Sequence, residues 1–201
     1  MFKLEERMPL VKGTLGLWYV NARGDWALQA RQPNQIQYSW AHILTQLLRR
    51  QRQFAPNAIY LEFENVADPA TAVTVPTFGR DEGLEYFANL QYSATRDFLR
   101  LPLLQDPLIS IAAGYEAYFT EGVSGNVATY FAMSSGVVGV HGKTFSDTTH
   151  SKICGACLVA TPAQADWTQD VIFSRTYLAT AQQVVKSVSH QVGITWDIVV
   201  E

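Results

Sequence analysis

The sequence predicts a mainly β protein: an antiparallel β-sandwich, jelly-roll-like, with one amphipathic helix packed on the sheet and an extended N-terminal arm. Three observations predict it. The first is the C-terminal stretch, where Val188, His190, Val192, Ile194, Trp196, Ile198 and Val200 alternate with Ser187, Ser189, Gln191, Gly193, Thr195, Asp197 and Glu201, and only Val199 breaks the polar side. A period of two places one set on a dry face and the other on a wet face, as in a half-covered antiparallel strand. The second is a series of short alternating segments separated by turn formers. The third is that only one stretch shows a clear helical stripe.

Residues 1–12 mix charge with isolated apolar residues and contain Pro9, which reads as an arm. The remainder, 13–201, reads as a single β-sandwich domain, with no internal repeat, low-complexity tract or linker. Leu15, Leu17 and Tyr19 alternate, Asn21 to Asp25 are turn formers, and Trp26 and Leu28 resume the alternation, so two short strands are expected there. Ile36, Trp40, Ile43, Leu44, Leu47 and Leu48 then recur at helical spacing, predicting a helix over about 34–54. Asn34 or Ser39 can cap its start, and Pro56 prevents continuation beyond Phe54. Ile59 to Glu64 alternate as a strand until Asp68-Pro69, and Ala72 to Val75 suit a further short one. Residues 79–107 are broken by Gly79, Gly83, Pro102 and Pro107 and favour neither helix nor strand. From Leu108 the pattern is β: Ile109 to Ala113, then Tyr115 to Thr120 and Val127 to Met133 around a hairpin-like Glu121 to Asn126, then Ile153 to Ala160 and Val171 to Tyr177.

Composition narrows the function classes. The chain of 201 residues is 48% hydrophobic, 16% charged and carries a net charge of -3. A charge content below the roughly 25% of soluble domains fits either a large core or a surface covered by partner subunits. The negative balance implies no general attraction to nucleic acid, and Arg49, Arg50 and Arg52 sit where cations complement a helix end. No segment reaches the roughly 20 apolar residues of a membrane helix, and none has a signal-peptide layout. Two cysteines are too few for a disulfide framework, which is consistent with a reducing compartment.

Each candidate for chemistry has a structural counterpart. Cys154 and Cys157, with His141 and His150, supply four zinc-ligand types. A strand, however, sends residues three apart to opposite faces, and free cysteine is a common core residue, so no metal or other cofactor is expected. Gly139 to Thr144 ends like a phosphate loop but lacks the spacing and the following helix. Glu62 and Glu64 could form a glycosidase pair, but acidic residues two apart also suit the wet face of a strand, which is where they are expected. No Gly-x-Ser-x-Gly elbow is present. Trp18, Tyr60, Tyr130 and Trp167 fall on no predicted dry face and are expected at an interface or ligand surface.

Two stretches near the end carry a resemblance. One is Ile153-Cys154-Gly155-Ala156-Cys157-Leu158 followed by Asp170-Val171-Ile172-Phe173-Ser174-Arg175-Thr176-Tyr177; the other is Lys186 followed by Gly193-Ile194-Thr195-Trp196-Asp197-Ile198. They resemble the C-terminal half of small structural proteins of tailed bacteriophage virions, where a Ser-Arg strand, a loop with Lys and a closing Thr-Trp strand complete a β-sandwich. The N-terminal half is similar too, through the hairpin, Pro33-Asn34-Gln35-Ile36, the helix ending in Leu47-Leu48, and the strand Ile59 to Phe63.

The resemblance implies a non-enzymatic virion protein, assembled in the host cytoplasm, with no catalytic residues and no metal at Cys154 and Cys157. Its expected partners are further copies of itself in a symmetric oligomer, and other virion proteins such as the major capsid protein or neck and tail proteins. Capsid cement or decoration is the preferred place, with a head–tail junction, collar or tail component as the alternative. The expected contact residues are Phe2, Leu4, Met8 and Leu10 on the arm, with Trp18, Tyr60, Tyr130 and Trp167 on the domain. A carbohydrate-binding or carbohydrate-cleaving module is the alternative from another class. It calls for exposed aromatics beside carboxylates.

Overall fold

The computed structural model describes residues 11–20, 23, 25–36, 39–63, 86–87, 98–103, 123–124, 127–134, 151–163, 166–186 and 191–200. The described chain is mainly β, with two antiparallel sheets and one α-helix. The first sheet runs β2 (Trp26–Ile36), β1 (Val11–Val20), β10 (Val192–Val200), β6 (Val127–Ser134), β5 (Val123–Ser124). The second runs β4 (Phe98–Pro102), β3 (Pro56–Phe63), β7 (Ser151–Ala160), β8 (Val171–Tyr177). β9 (Val184–Lys186) pairs with the start of β7, taking the place beside it that β8 leaves after Tyr177. The end of β2 joins the sheets, because Gln35 and Ile36 pair with Arg175 and Ser174.

Alternation explains how the sheets meet. Leu15 and Leu17 of β1, and Val192, Ile194, Trp196 and Ile198 of β10, turn inward. They share one core with Ile59, Leu61 and Phe63 of β3, Leu99 and Leu101 of β4, and Ala156 and Leu158 of β7. Each large side chain buried this way contributes about 1.5–3 kcal/mol. The arrangement is sandwich-like, with the core between two sheets.

The terminal strand keeps its expected dry face, but its described part is Val192–Val200. Gln191 lies outside the strand, and Ser187 to His190 and Glu201 lie outside the described residues. Lys186 ends a different strand in the opposite sheet. The expected arm overlaps the fold at its end, since Val11 and Lys12 pair with Val200 and Val199 in β1; residues 1–10 lie outside the described residues.

The helix is shorter than the sequence suggests. α1 spans Ser39–Leu48, and Asn34 to Ile36 belong to β2, whose ladder to β8 outcompetes a longer helix. Its end is set at Arg50, whose φ is 64°. The Arg50 N–H donates to Leu47 O at 2.8 Å and the Gln51 N–H to Gln46 O at 2.9 Å, the paired bonds of a Schellman cap. Arg52–Phe54 forms a separate 3-10 turn. Ile43 packs on Ala160 and Val171, with Leu47 alongside, while Leu44 and Leu48 of the predicted stripe are exposed.

Two further expectations are corrected. Phe98–Pro102 is a strand within the stretch that sequence left undecided, pairing with Ala58 to Glu62. Leu28 does not share a dry face with the buried Trp26. A bulge opposite Leu17 and Trp18 pairs Leu28 with Trp18 and leaves it 46% exposed. The segments expected as strands at 72–75, 109–113 and 115–120 lie outside the described residues.

Candidate functional site

Antiparallel register assembles polar residues on the outer face of the second sheet. Arg100 lies opposite Tyr60, Tyr60 opposite Cys157, Cys157 opposite Arg175, and Arg175 opposite Gln35. One row therefore crosses five strands. In the next row Glu62 lies opposite Gly155, and Gly155 opposite Tyr177. Side chains on one face interact both directly across and diagonally, so the two rows form a single cluster.

Glu62 and Arg175 are ion-paired at 3.0 Å, with each side chain 1% exposed. The Cys157 thiol donates to Glu62 Oε1 at 3.1 Å, and the Cys154 thiol to the Glu62 carbonyl at 3.4 Å. The Arg175 guanidinium stacks over the Tyr177 ring, 4.4 Å from its centroid. Gly155 allows this close approach: a Cβ there would stand 3.0 Å from Thr176 O and 3.3 Å from the Tyr177 ring.

The other half centres on Asp170, which is fully buried. Its Oδ2 accepts from the Tyr60 hydroxyl at 2.5 Å and lies 2.9 Å from Arg100 Nε. Burial pushes the Asp170 carboxyl up to about 6, although the Tyr60 hydroxyl and Arg100 pull it down. Burial, reinforced by Asp170, pushes the Tyr60 hydroxyl well above its ordinary range. Phe87 stacks on Tyr60 with ring centroids 4.1 Å apart, and Phe98 and Trp167 close around them. Lys186 is a further buried charge, its amine held down at about 8 by burial.

The cluster brings together two carboxylates and two guanidiniums in opposed pairs. Pairing and hydrogen bonding of this kind are what buried charges require. Tyr60, Glu62, Cys157, Asp170 and Arg175 are all buried, so this site is built for cohesion rather than for receiving a substrate.

The predicted site residues scatter. Tyr60 is 0% exposed, so it is a core residue and not a contact residue. Glu62 is also buried, not on a wet strand face, because β3 is covered on both sides from Ala58 to Phe63; its expected companion Glu64 lies outside the described residues. Trp167 is half-buried against the Tyr60 cluster, and Tyr130 packs half-buried against the main core opposite Trp196. Cys154 and Cys157 are free and buried, as their strand setting suggested. His141 and His150 lie outside the described residues, as do Phe2, Leu4, Met8 and Leu10. Among the described residues no group of three or more His, Cys, Asp or Glu side chains is placed to hold a metal ion.

Trp18 alone of the four aromatics lies on an open sheet face. It stands on the outer face of the first sheet, and its Nε1 donates to Thr195 Oγ1 at 3.1 Å. Gly16 leaves the room for that bond, since a Cβ there would strike Thr195 Oγ1. Leu28 lies opposite Trp18, and Arg31, Thr14, Asp197, Val199 and Lys12 occupy the neighbouring rows of the same face. Val200, at the end of β10, is 44% exposed.

Sequence reasoning missed Arg100, Asp170 and Arg175. Their signal was a lone charge inside or beside an apolar strand, as in Phe98-Leu99-Arg100-Leu101 and Asp170-Val171-Ile172. That pattern marks a buried charge in need of a partner but does not say which one.

The molecule thus belongs, by fold and site, to the antiparallel two-sheet proteins in which an ionic cluster seals the outside of one sheet while the other sheet keeps an open face. Compared with known proteins, the chain matches no protein-family profile, no curated protein and no solved structure.

Proposed function

We propose that this protein is a non-enzymatic structural subunit of a tailed-phage virion, which acts by packing against neighbouring copies and other particle proteins. The observation that carries the reading is the outer face of the first sheet, where Trp18, Leu28 and Val199 lie together on a surface of low charge. An apolar patch rimmed by Lys12, Arg31 and Asp197 suits burial in an assembly. The sealing of Glu62, Asp170 and both arginines supports binding over catalysis as the mode of action. Capsid cement or decoration is the preferred place. A head–tail junction, collar or tail component would use the same face in smaller numbers.

A glycan-handling module is the weaker reading. Two of its best groups, Tyr60 and Glu62, are in the interior. Trp18 and Asp197 remain on one sheet face in its favour.

Sedimentation of the full chain tests the proposal. The wild type is expected to self-associate, and Leu28→Glu to shift it towards monomer with an unchanged circular dichroism spectrum. A wild type that stays monomeric and does not bind purified particles would overturn the reading. Copy number relative to the major shell protein then separates cement from neck or tail.

A further inference from the structure

Asp170 joins three segments that are far apart in the chain. Its carboxylate receives Tyr60 from β3 and Arg100 from β4. Its main-chain carbonyl accepts the Phe87 N–H at 2.8 Å, and Tyr86 bridges Val171 next door. Its own N–H donates to Trp167 O at 3.1 Å, closing the 3-10 turn Trp167–Gln169. The residue therefore holds both the sheet and the two aromatics, Phe87 and Trp167, that cover Tyr60.

We propose that Asp170 is a pH-responsive latch: it holds the aromatic cover on the second sheet tightly in mild acid and loosens it towards neutral pH. Ionised, Asp170 is an acceptor that has lost its water and has only Tyr60 and Arg100 in exchange; protonated, it no longer bears the cost of a buried charge. The groups that face it are the Tyr60 hydroxyl from β3, the Arg100 guanidinium from β4, the Cys157 thiol from β7 beside Tyr60, and Asp166 from the turn. The Glu62–Arg175 pair lies one row further on. Asp166 adds negative charge and so works in the same direction as burial. Arg100, with its side chain 12% exposed, provides the route by which water reaches the carboxylate when the cover lifts.

Linkage sets the sign and size. A carboxyl at about 6 under the cover and at the usual 3.8 when hydrated binds its proton more tightly in the closed state, so closing weakens as pH rises between those values. The full span is roughly a hundredfold in the closing equilibrium, of which roughly 30-fold falls between pH 4.5 and 7.5.

The test is hydrogen exchange of the Phe87 amide in the full-length protein, corrected for the intrinsic rate, with the Leu17 amide in the opposite sheet as reference. Opening at Phe87 is expected to rise roughly 30-fold from pH 4.5 to 7.5 while Leu17 keeps its protection, and Asp170→Asn is expected to remove the pH dependence. Equal changes at Phe87 and Leu17, or the same profile in Asp170→Asn, would overturn the latch. Should the variant not fold, carboxyl carbon NMR of the wild type decides: titration near 6 supports the proposal, and titration below 4 sinks it.

Discussion

Arg175 and Glu62, 113 residues apart in the chain, form an ion pair at 3.0 Å in which neither side chain is more than 1% exposed. Such a pair contributes little net stability against an apolar alternative, but it is costly to break on one side only. Its place on the sheet shows why. Glu62 also takes the Cys157 thiol, and Arg175 stacks on Tyr177, so each charge is held by two neighbours.

Removing one charge at this pair is therefore expected to be severe. Glu62→Gln strands a buried guanidinium and should cost about 3–5 kcal/mol in urea unfolding. The double change Glu62→Leu with Arg175→Met should recover most of that loss. A single variant that unfolds at the wild-type urea midpoint would show that the pair is hydrated.

Arg50 offers a change in the opposite direction. It occupies the left-handed position of the helix cap at φ 64°, where a side chain is strained and glycine is not. Arg50 is exposed. Arg50→Gly should stabilise the protein by about 0.5–1 kcal/mol, read as a higher thermal midpoint with the same spectrum. A lower midpoint would mean that the Arg50 side chain has a role outside the cap.

Lys186 should make stability rise in alkaline solution. Its amine is held at about 8 in the fold against 10.5 when hydrated, so the unfolded chain binds more protons between those values. Stability then increases as pH rises from about 8 to 10.5, because the folded state no longer has to hold a charge that burial disfavours. The difference in urea midpoint between wild type and Lys186→Met, followed across that range, isolates the effect. A constant difference would show that a partner keeps the buried amine charged.

Much of the architecture was legible along the chain. The dry faces of β1 and β10, the strands β7 and β8, and a single helix all follow from local periodicity, since a side chain two or four positions on returns to the same face. Bounds were less legible. Asn34 to Ile36 look helical by spacing, yet they form strand because a ladder partner, β8, waits beside them. Glu62 looked solvated because alternation says only that it faces away from Leu61, not that a second layer built on Phe87, Phe98 and Trp167 covers that side.

By itself the sequence determined the β character, the low charge and which side chains alternate, because these depend on covalent neighbours and on the two faces of a pleated chain. Only the tertiary structure decided that Arg100, Tyr60, Cys157 and Arg175 stand in one row, that Glu62 and Asp170 complete it, and that Trp18 is left on an open face. Those facts depend on the register between strands dozens of residues apart, where a slip of one residue would send every partner to the opposite side of the sheet.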